Sequence, residues 1–354
     1  VTKVYILHHQ GIFLNSHEDA FKKEVEDVKR INPDKIICLC MEEFDFEHIF
    51  KNFFDGIQDW LLENNKKVIV SIPNPDNVEL GPNIITEKNC GYYIYNYEMI
   101  SKMIEQGADY YNNIHERATK WYTCYNNTPK IHRALLLDSL AKNNLLQHGM
   151  VTFHSPVKVH ECYQWQYHDG SELNDEENFI LNSKPEFLPG ELPKSFFNGF
   201  LDIITESSIA PNNWFCTEKT AKSIGTLKPF LVLGNQDYHK FLQDEYDIEL
   251  YDEFFDYSFD SEPNLSDRIQ GILDNLNRIV KLDHSEMTTM HNKLLPKMLL
   301  NRKRFMDYGT KENMIPRSLQ FLTQNTDYEL YRSDTGTISS NIFDYMEKQN
   351  WLAK

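Results

Sequence analysis

Three groupings in this chain bring reactive side chains close together. Thr217, Glu218 and Lys219, with Lys222 one helical turn on, gather a hydroxyl, a carboxylate and two ammonium groups where the pattern starts a helix. Thr217 can cap that helix by accepting a hydrogen bond from an otherwise unpaired backbone N–H. Such a start can present N–H groups to a phosphate while a lysine adds positive charge and a carboxylate holds a sugar hydroxyl. A solvated helix face carries the same residue types, and the segment alone leaves both readings open. Lys130, His132 and Arg133 gather at the first turn of another predicted helix. The helix dipole opposes cations there, so an anionic ligand or a neighbouring acidic side chain must compensate. Finally, His8 with His9 and Glu42 with Glu43 each follow an apolar strand, at the rim where α/β proteins bind ligands. Either pair supplies a group able to remove a proton.

Apolar periodicity shows the elements that must position these groups. Residues 3–8, 36–41 and 67–72 read as strands rich in Ile and Val, and 19–31 and 50–62 repeat apolar residues at helical spacing. Pro33 breaks the first helix, Gln10 and Gly11 turn the chain after the first strand, and Pro73 to Asp76 close the third. This alternation is the pattern of a parallel sheet covered by helices. A weaker strand follows at 91–95, then a helix from Met99 to the mid-110s. Pro129 opens a helix with Ile131, Leu135 and Leu136 on its apolar face. Strands at 150–153, 200–205 and 230–233, with helices at 217–225, 266–282 and 286–304, make a second alternating set.

Residues 156–193 are polar and irregular, with Tyr163, Trp165 and Tyr167, and Pro185, Pro189, Gly190 and Pro193 make a hinge. The expected division is an N-terminal α/β domain over 1–193, including this aromatic-rich insertion. A C-terminal α/β domain occupies 194–310, and the segment 311–354 returns to the first domain. Residues 244–262 hold nine carboxylates and no lysine or arginine, interleaved with Tyr251, Phe254, Phe255, Tyr257 and Phe259. Their irregular spacing fits a solvated, partly anchored segment better than a metal site.

The 354 residues are 41% hydrophobic and 25% charged, the profile of a folded chain with room for two domains. The formal charge of -17 disfavours non-specific binding along a nucleic-acid backbone, while a local basic pocket for a small phosphorylated ligand stays possible. No apolar run approaches a membrane span, and the chain enters its first strand without a signal-like core, so a cytoplasmic location is expected, in a bacterial or virus-infected cell. Six scattered cysteines, with Cys38 and Cys40 on one apolar strand, indicate neither a zinc site nor a disulfide framework.

Phe215, Thr217, Glu218 and Lys219, then Lys228, Pro229 and Phe230, Leu233 and Gly234, and the acidic-aromatic segment from Phe255 to Asp260 form an ordered series. It resembles the exostosin-like and fucosyltransferase-like nucleotide-sugar glycosyltransferases, in which a Thr-Glu-Lys helix precedes a Pro-Phe strand, a glycine turn and an acidic-aromatic segment. Glu206 also fits that pattern, and Asn126, Pro129, Lys130, His132 and Arg133 are similar to a basic helix start in related proteins. The matches span about a third of the chain and identify no sugar. The resemblance implies a GT-B-like fold, two Rossmann-like domains facing a cleft, with 1–193 on the acceptor side and 194–310 binding the nucleotide sugar. It places Glu218 on the donor ribose, Lys219 at the diphosphate and Arg133 as a further phosphate or acceptor contact. Glu206, Thr217 and Lys222 complete the expected donor site. The donor is a nucleotide sugar acting as co-substrate, with no resident cofactor or metal required. A glycan or small hydroxylated molecule is the first choice of acceptor, ahead of modified nucleic acid. His8, His9, Glu42 and Glu43 are the candidates for the base.

Competing readings fare unevenly. The first turn, HHQGIFLN, lacks the GxGxxG of a dinucleotide site, and no GxxxxGK[ST] is present. Glycoside hydrolysis requires two opposed carboxylates rather than a basic site. A non-catalytic carbohydrate-binding or virion-associated protein that keeps the fold is the alternative outside enzymes.

Overall fold

The computed structural model describes residues 1–9, 17–40, 46–72, 83–88, 93–105, 110–126, 130–153, 194–207, 209, 214, 216–332 and 345–352. In chain order come β1 (Thr2–His9), α1 (His17–Ile31), β2 (Lys35–Cys40), α2 (Phe46–Glu63), β3 (Val68–Ile72), β4 (Ile84–Lys88), α3 (Tyr93–Glu105) and α4 (Tyr110–Arg117). There follow β5 (Lys120–Asn126), α5 (Ile131–Lys142), β6 (Gly149–Phe153), β7 (Gly199–Thr205), α6 (Glu218–Gly225), β8 (Phe230–Leu233), α7 (Tyr238–Tyr246), α8 (Leu265–Ile279), α9 (His284–Asp307) and β9 (Tyr328–Arg332). They form two compact units, one of residues 1–95, 212–215 and 309–354, the other of 96–211 and 216–308.

The first unit is a five-stranded parallel sheet ordered β4-β3-β2-β1-β9. Tyr5, Leu7, Ile36, Cys38, Val68 and Val70 pack with Phe21, Val25, Val28, Phe53, Ile57 and Leu61 of α1 and α2. The alternate strand residues Val4, Ile6, Ile37 and Leu39 are buried too, so these strands are covered on both faces, as their continuous apolar runs require. Residues 309–354 belong to this unit because β9 pairs parallel to β1, Thr2 opposite Tyr328 through Ile6 opposite Arg332.

The second unit is a four-stranded parallel sheet ordered β6-β5-β7-β8, and every residue of β6, β7 and β8 is buried. Here the structure departs from the sequence reading. Lys120–Asn126 is a central strand, pairing with β6 on one side and β7 on the other. Its Trp, Tyr, Thr and Cys suit a pleated, half-buried surface. The compact units therefore divide between residues 95 and 96 rather than near 193, since the pairing of β5 assigns 120–153 to the second sheet. The strand expected at 91–95 is replaced by the start of α3, whose Tyr93, Asn96, Ile100 and Met103 are buried at helical spacing. The insertion at 156–193, the turns at Gln10–Gly11 and 73–76, and Pro129 lie outside the described residues.

Parallel strands β5 and β7 approach so closely at Gly199 that a Cβ there would stand 2.6 Å from the carbonyl carbon of Tyr122 and 2.8 Å from the nitrogen of Thr123. Both are backbone atoms and cannot turn aside. Below the sheet, buried Lys228 donates from Nζ to Thr123 Oγ1 at 2.6 Å and to Phe196 O at 2.7 Å, and Thr123 Oγ1 donates to Asp202 Oδ1 at 2.7 Å. Burial lowers the Lys228 ammonium from 10.5 to about 7, with Asp202 opposing the shift. His291 donates from Nε2 to Leu227 O at 3.2 Å, so its Nδ1 accepts from His115 Nε2 at 3.0 Å. Burial, reinforced by His115, lowers His291 to about 3.

Two outcomes are expected. Gly199→Ala should destabilise the protein by about 1–3 kcal/mol in chemical denaturation, the range for forced overpacking. Because the unfolded chain protonates His291 near 6.5 and the folded chain only near 3, stability should fall as pH drops through that window. His291→Gln should flatten that dependence of the denaturant midpoint, and an unaltered profile would remove His291 from the account.

Candidate functional site

In the order β6-β5-β7-β8 the chain leaves β5 towards one edge of the sheet and β7 towards the other. The C-terminal ends of β5 and β7 are therefore the switch point, the place where an open parallel sheet leaves a crevice for a ligand. Their exits lead to the first turns of α5 and α6, and all the residues described next lie in the second unit.

From α5, Lys130 donates its Nζ to Ser207 O, and His132 donates from Nε2 to Glu206 O at 2.8 Å. Arg133 Nη2 reaches Thr205 O and Glu206 O, each at 3.3 Å. Three donors on one helical turn thus meet three successive carbonyls at the exit of β7. These carbonyls supply negative character that offsets the helix dipole. Burial, then the charge of Arg133, lowers His132 to about 3, so it serves as a neutral donor. Beneath them Thr205 Oγ1 donates to Asn126 Oδ1 at 2.5 Å, and Thr152 Oγ1 receives Asn126 N–H at 2.8 Å.

From α6, Thr217 is the N-cap as expected, its side chain accepting Lys219 N–H at 3.3 Å. Its own hydroxyl donates to Glu206 Oε2 at 2.6 Å. Thr220 Oγ1 and Tyr238 OH donate to Glu206 Oε1 at 2.6 and 2.8 Å, and Ser207 N–H reaches Oε2 at 3.3 Å. One turn further on, Ser223 Oγ donates to Asp202 Oδ2 at 2.8 Å. Glu206 is 1% exposed, so its carboxylate depends on these donors in place of water.

Lys219 and Glu218 remain half-buried at the mouth of this arrangement. Lys219 Nζ lies 3.0 Å from Ser207 Oγ, 3.4 Å from Thr217 Oγ1 and 3.2 Å from Glu218 Oε1. Burial pushes the Glu218 carboxyl up, but Lys219 and Lys222 more than reverse this and leave it below its ordinary value. Lys222 is lowered by its own burial against the attraction of Glu218. The turn thus presents two cations and one carboxylate, an excess of one positive charge among the three.

The acidic-aromatic segment has a structural role on the same sheet. Asp260 accepts His239 N–H at 2.8 Å and His239 Nδ1–H at 2.7 Å, which leaves His239 Nε2 to receive Val232 N–H at 3.0 Å. The buried imidazole therefore satisfies a backbone donor of the edge strand β8. Asp252 and Glu253 pair with Lys297 at 3.2 and 2.7 Å, and Asp247 and Glu249 with Arg304 at 3.0 and 2.9 Å. Among the described residues no group of three or more His, Cys, Asp or Glu is placed to hold a metal ion. A cavity of about 570 Å³, lined in part by Phe254, Tyr257, Arg278 and Lys297, opens beside this segment, and none of the α5 and α6 residues named above lines it.

Of the residues singled out from the sequence, Arg133, Glu206, Thr217, Glu218, Lys219 and Lys222 meet in this one region, with Arg133 and Glu206 bonded inside it. His8 and His9 are the last two residues of β1 in the other unit, and Glu42 and Glu43 lie outside the described residues. Ser207, Thr220, Ser223 and Tyr238 were not anticipated. The three-residue spacing of Thr217, Thr220 and Ser223, one face of a helix, is the signal that could have found Thr220 and Ser223.

No family model matches the chain, and no curated protein matches it. Among solved structures it is similar to alpha,alpha-trehalose 6-phosphate synthase from Burkholderia multivorans, at 10% identity and a TM-score of 0.40, over 86% of this chain and 68% of that one. It is also similar to an alpha1,3-fucosyltransferase, at 9% identity and a TM-score of 0.32, over 87% of this chain and 92% of that one. At these scores the likenesses are slight. Among the described residues no helix is long and apolar enough to cross a membrane.

The hydroxyl cage makes a direct prediction. Thr220→Val, which keeps the shape and removes one donor to a buried carboxylate, should lower stability by about 1–3 kcal/mol. Thr220→Ser should lie much closer to wild type in the same denaturation series, and equal losses in the two variants would discount the hydroxyl.

Proposed function

We propose that this chain is a glycosyltransferase of the GT-B kind, moving a sugar from a nucleotide-sugar donor to a hydroxyl of a glycan or other hydroxylated acceptor. The observation that carries the reading is the meeting of Arg133 and the Thr217–Glu218–Lys219 turn at the ends of β5 and β7. The residue series that resembles nucleotide-sugar glycosyltransferases supports it.

Transfer breaks the bond between the anomeric carbon and the diphosphate, forms one to the acceptor oxygen, and passes the acceptor proton to a base. The departing diphosphate gathers negative charge, which fixed donors stabilise as it develops. Lys219 and Lys222 carry that role in this reading, with Arg133 beside them, and Glu218 orients the ribose. Lys219 is suited to exchange, since its present partners are two hydroxyls and one adjacent carboxylate. The base is assigned to one of His8, His9, Glu42 and Glu43. The reading requires no metal.

One observation favours a second reading. Glu206 and Arg133 are taken up by internal hydrogen bonds, as a carbohydrate-binding protein that kept this fold without its chemistry would permit.

Calorimetric titration with GDP, UDP, ADP, CDP and dTDP, with and without divalent metal, separates the two. We expect saturable binding of one nucleotide, weakened about tenfold or more by Lys219→Ala, the loss of a charge-assisted contact. Glu218→Ala should weaken it as well. Folded protein that binds none of the five would favour the non-catalytic reading.

A further inference from the structure

We infer that Glu206 is a positioning residue for Lys219, acting through Thr217 rather than by touching the donor. The inference rests on the donor-site reading above for its meaning, though its geometry stands alone. All four groups on the Glu206 carboxylate are donors: the hydroxyls of Thr217, Thr220 and Tyr238 and the N–H of Ser207. Such a carboxylate is an acceptor only, and a hydroxyl that gives it a proton must turn its lone pairs the other way. For Thr217 that direction is the first turn of α6. Its Oγ1 there accepts Lys219 N–H and lies 3.4 Å from Lys219 Nζ. Ser207 closes the path from the other side, its N–H on Glu206 and its Oγ 3.0 Å from Lys219 Nζ.

One buried carboxylate therefore fixes the Thr217 hydroxyl and takes the backbone N–H of Ser207, the residue whose hydroxyl makes the other contact with the lysine. A donor in place of either carboxylate oxygen would break this arrangement. Glu206→Gln keeps the shape but removes the charge: Ser207 N–H can only donate, so the amide oxygen stays on the Oε2 side while the amide NH2 meets Thr220 and Tyr238, and the bond from Thr217 loses its charge assistance, which changes the hold on Lys219. Glu206 cannot exchange these partners for a ligand without releasing the cap of α6 and Tyr238 together. That separates it from Glu218, which is half-buried and adjoins the lysine directly.

The test uses Glu206→Gln and Thr217→Val, with Thr217→Ser as the conservative control, each made in wild-type protein and in Lys219→Ala. The first readout is acetylation of Lys219 by a water-soluble succinimidyl ester, followed by peptide mass spectrometry against exposed Lys240 in the same sample. Glu206→Gln and Thr217→Val should change the Lys219 rate about threefold or more, with Thr217→Ser near wild type, because only a hydroxyl both donates and accepts. Unchanged rates in folded Glu206→Gln and Thr217→Val overturn the inference whether or not any nucleotide binds. The second readout is affinity for the tightest of the five nucleoside diphosphates. Glu206→Gln should weaken it about fivefold in wild type and by less than about twofold in the Lys219→Ala background, the signature of action through Lys219. Equal losses in both backgrounds would make Glu206 a general scaffold residue and overturn the inference. If Lys219→Ala itself leaves affinity unchanged, the donor-site reading fails, and the acetylation rates still decide the positioning role.

Discussion

A carboxylate removed from water must be met by donors, and β7 with the residue that follows it carries two such groups on one face. Asp202 and Glu206 stand four residues apart in a strand direction whose side chains alternate, so both point to the side covered by α6. That helix answers with Thr217, Thr220 and Ser223, hydroxyls three residues apart that share one helical face. Two go to Glu206 and one to Asp202, which fixes the helix on the strand in direction and register. The site depends on this match, because the turn that offers Glu218 and Lys219 is the end of α6 bound to Glu206.

The same economy of polar groups runs through the rest of the second unit. Lys228 reaches Asp202 through Thr123, Asn275 and Asn301 bond backbone groups of the acidic-aromatic segment, and His239 satisfies the edge of β8. Buried polar groups of this kind cost free energy when unmatched, so each tends to specify one arrangement. In the proposed donor site the half-buried Glu218 and Lys219 are the residues offered to a ligand, beside the exit of β7. Rigid support beneath and exchangeable partners above is what a site needs if it is to orient charged groups without being remade on binding.

How far the sequence carried this picture depends on the range of the signal. Strands β1, β2, β3, β7 and β8 and helices α1, α2, α6, α8 and α9 follow from local periodicity, and Thr217 from the residue type that caps helices. β5 escaped because its polar, aromatic residues lack a plain alternation, and it is a strand only because β6 and β7 lie on either side of it. Missing it displaced the division between the units by about a hundred residues, since a central strand decides which sheet its neighbours join.

The sequence by itself determined most of the elements, the α/β class and the chemical character of the Thr217–Lys222 turn, because each depends on residues within a few turns of one another. Tertiary structure alone decided that Glu206 is caged by three hydroxyls and that Lys130, His132 and Arg133 face the carbonyls of β7. Those partners lie 11 to 77 residues away along the chain, at separations where spacing carries no record of contact. The packing of α6 on β7 brings the first set within hydrogen-bonding distance, and the pairing of β5 with β7 the second.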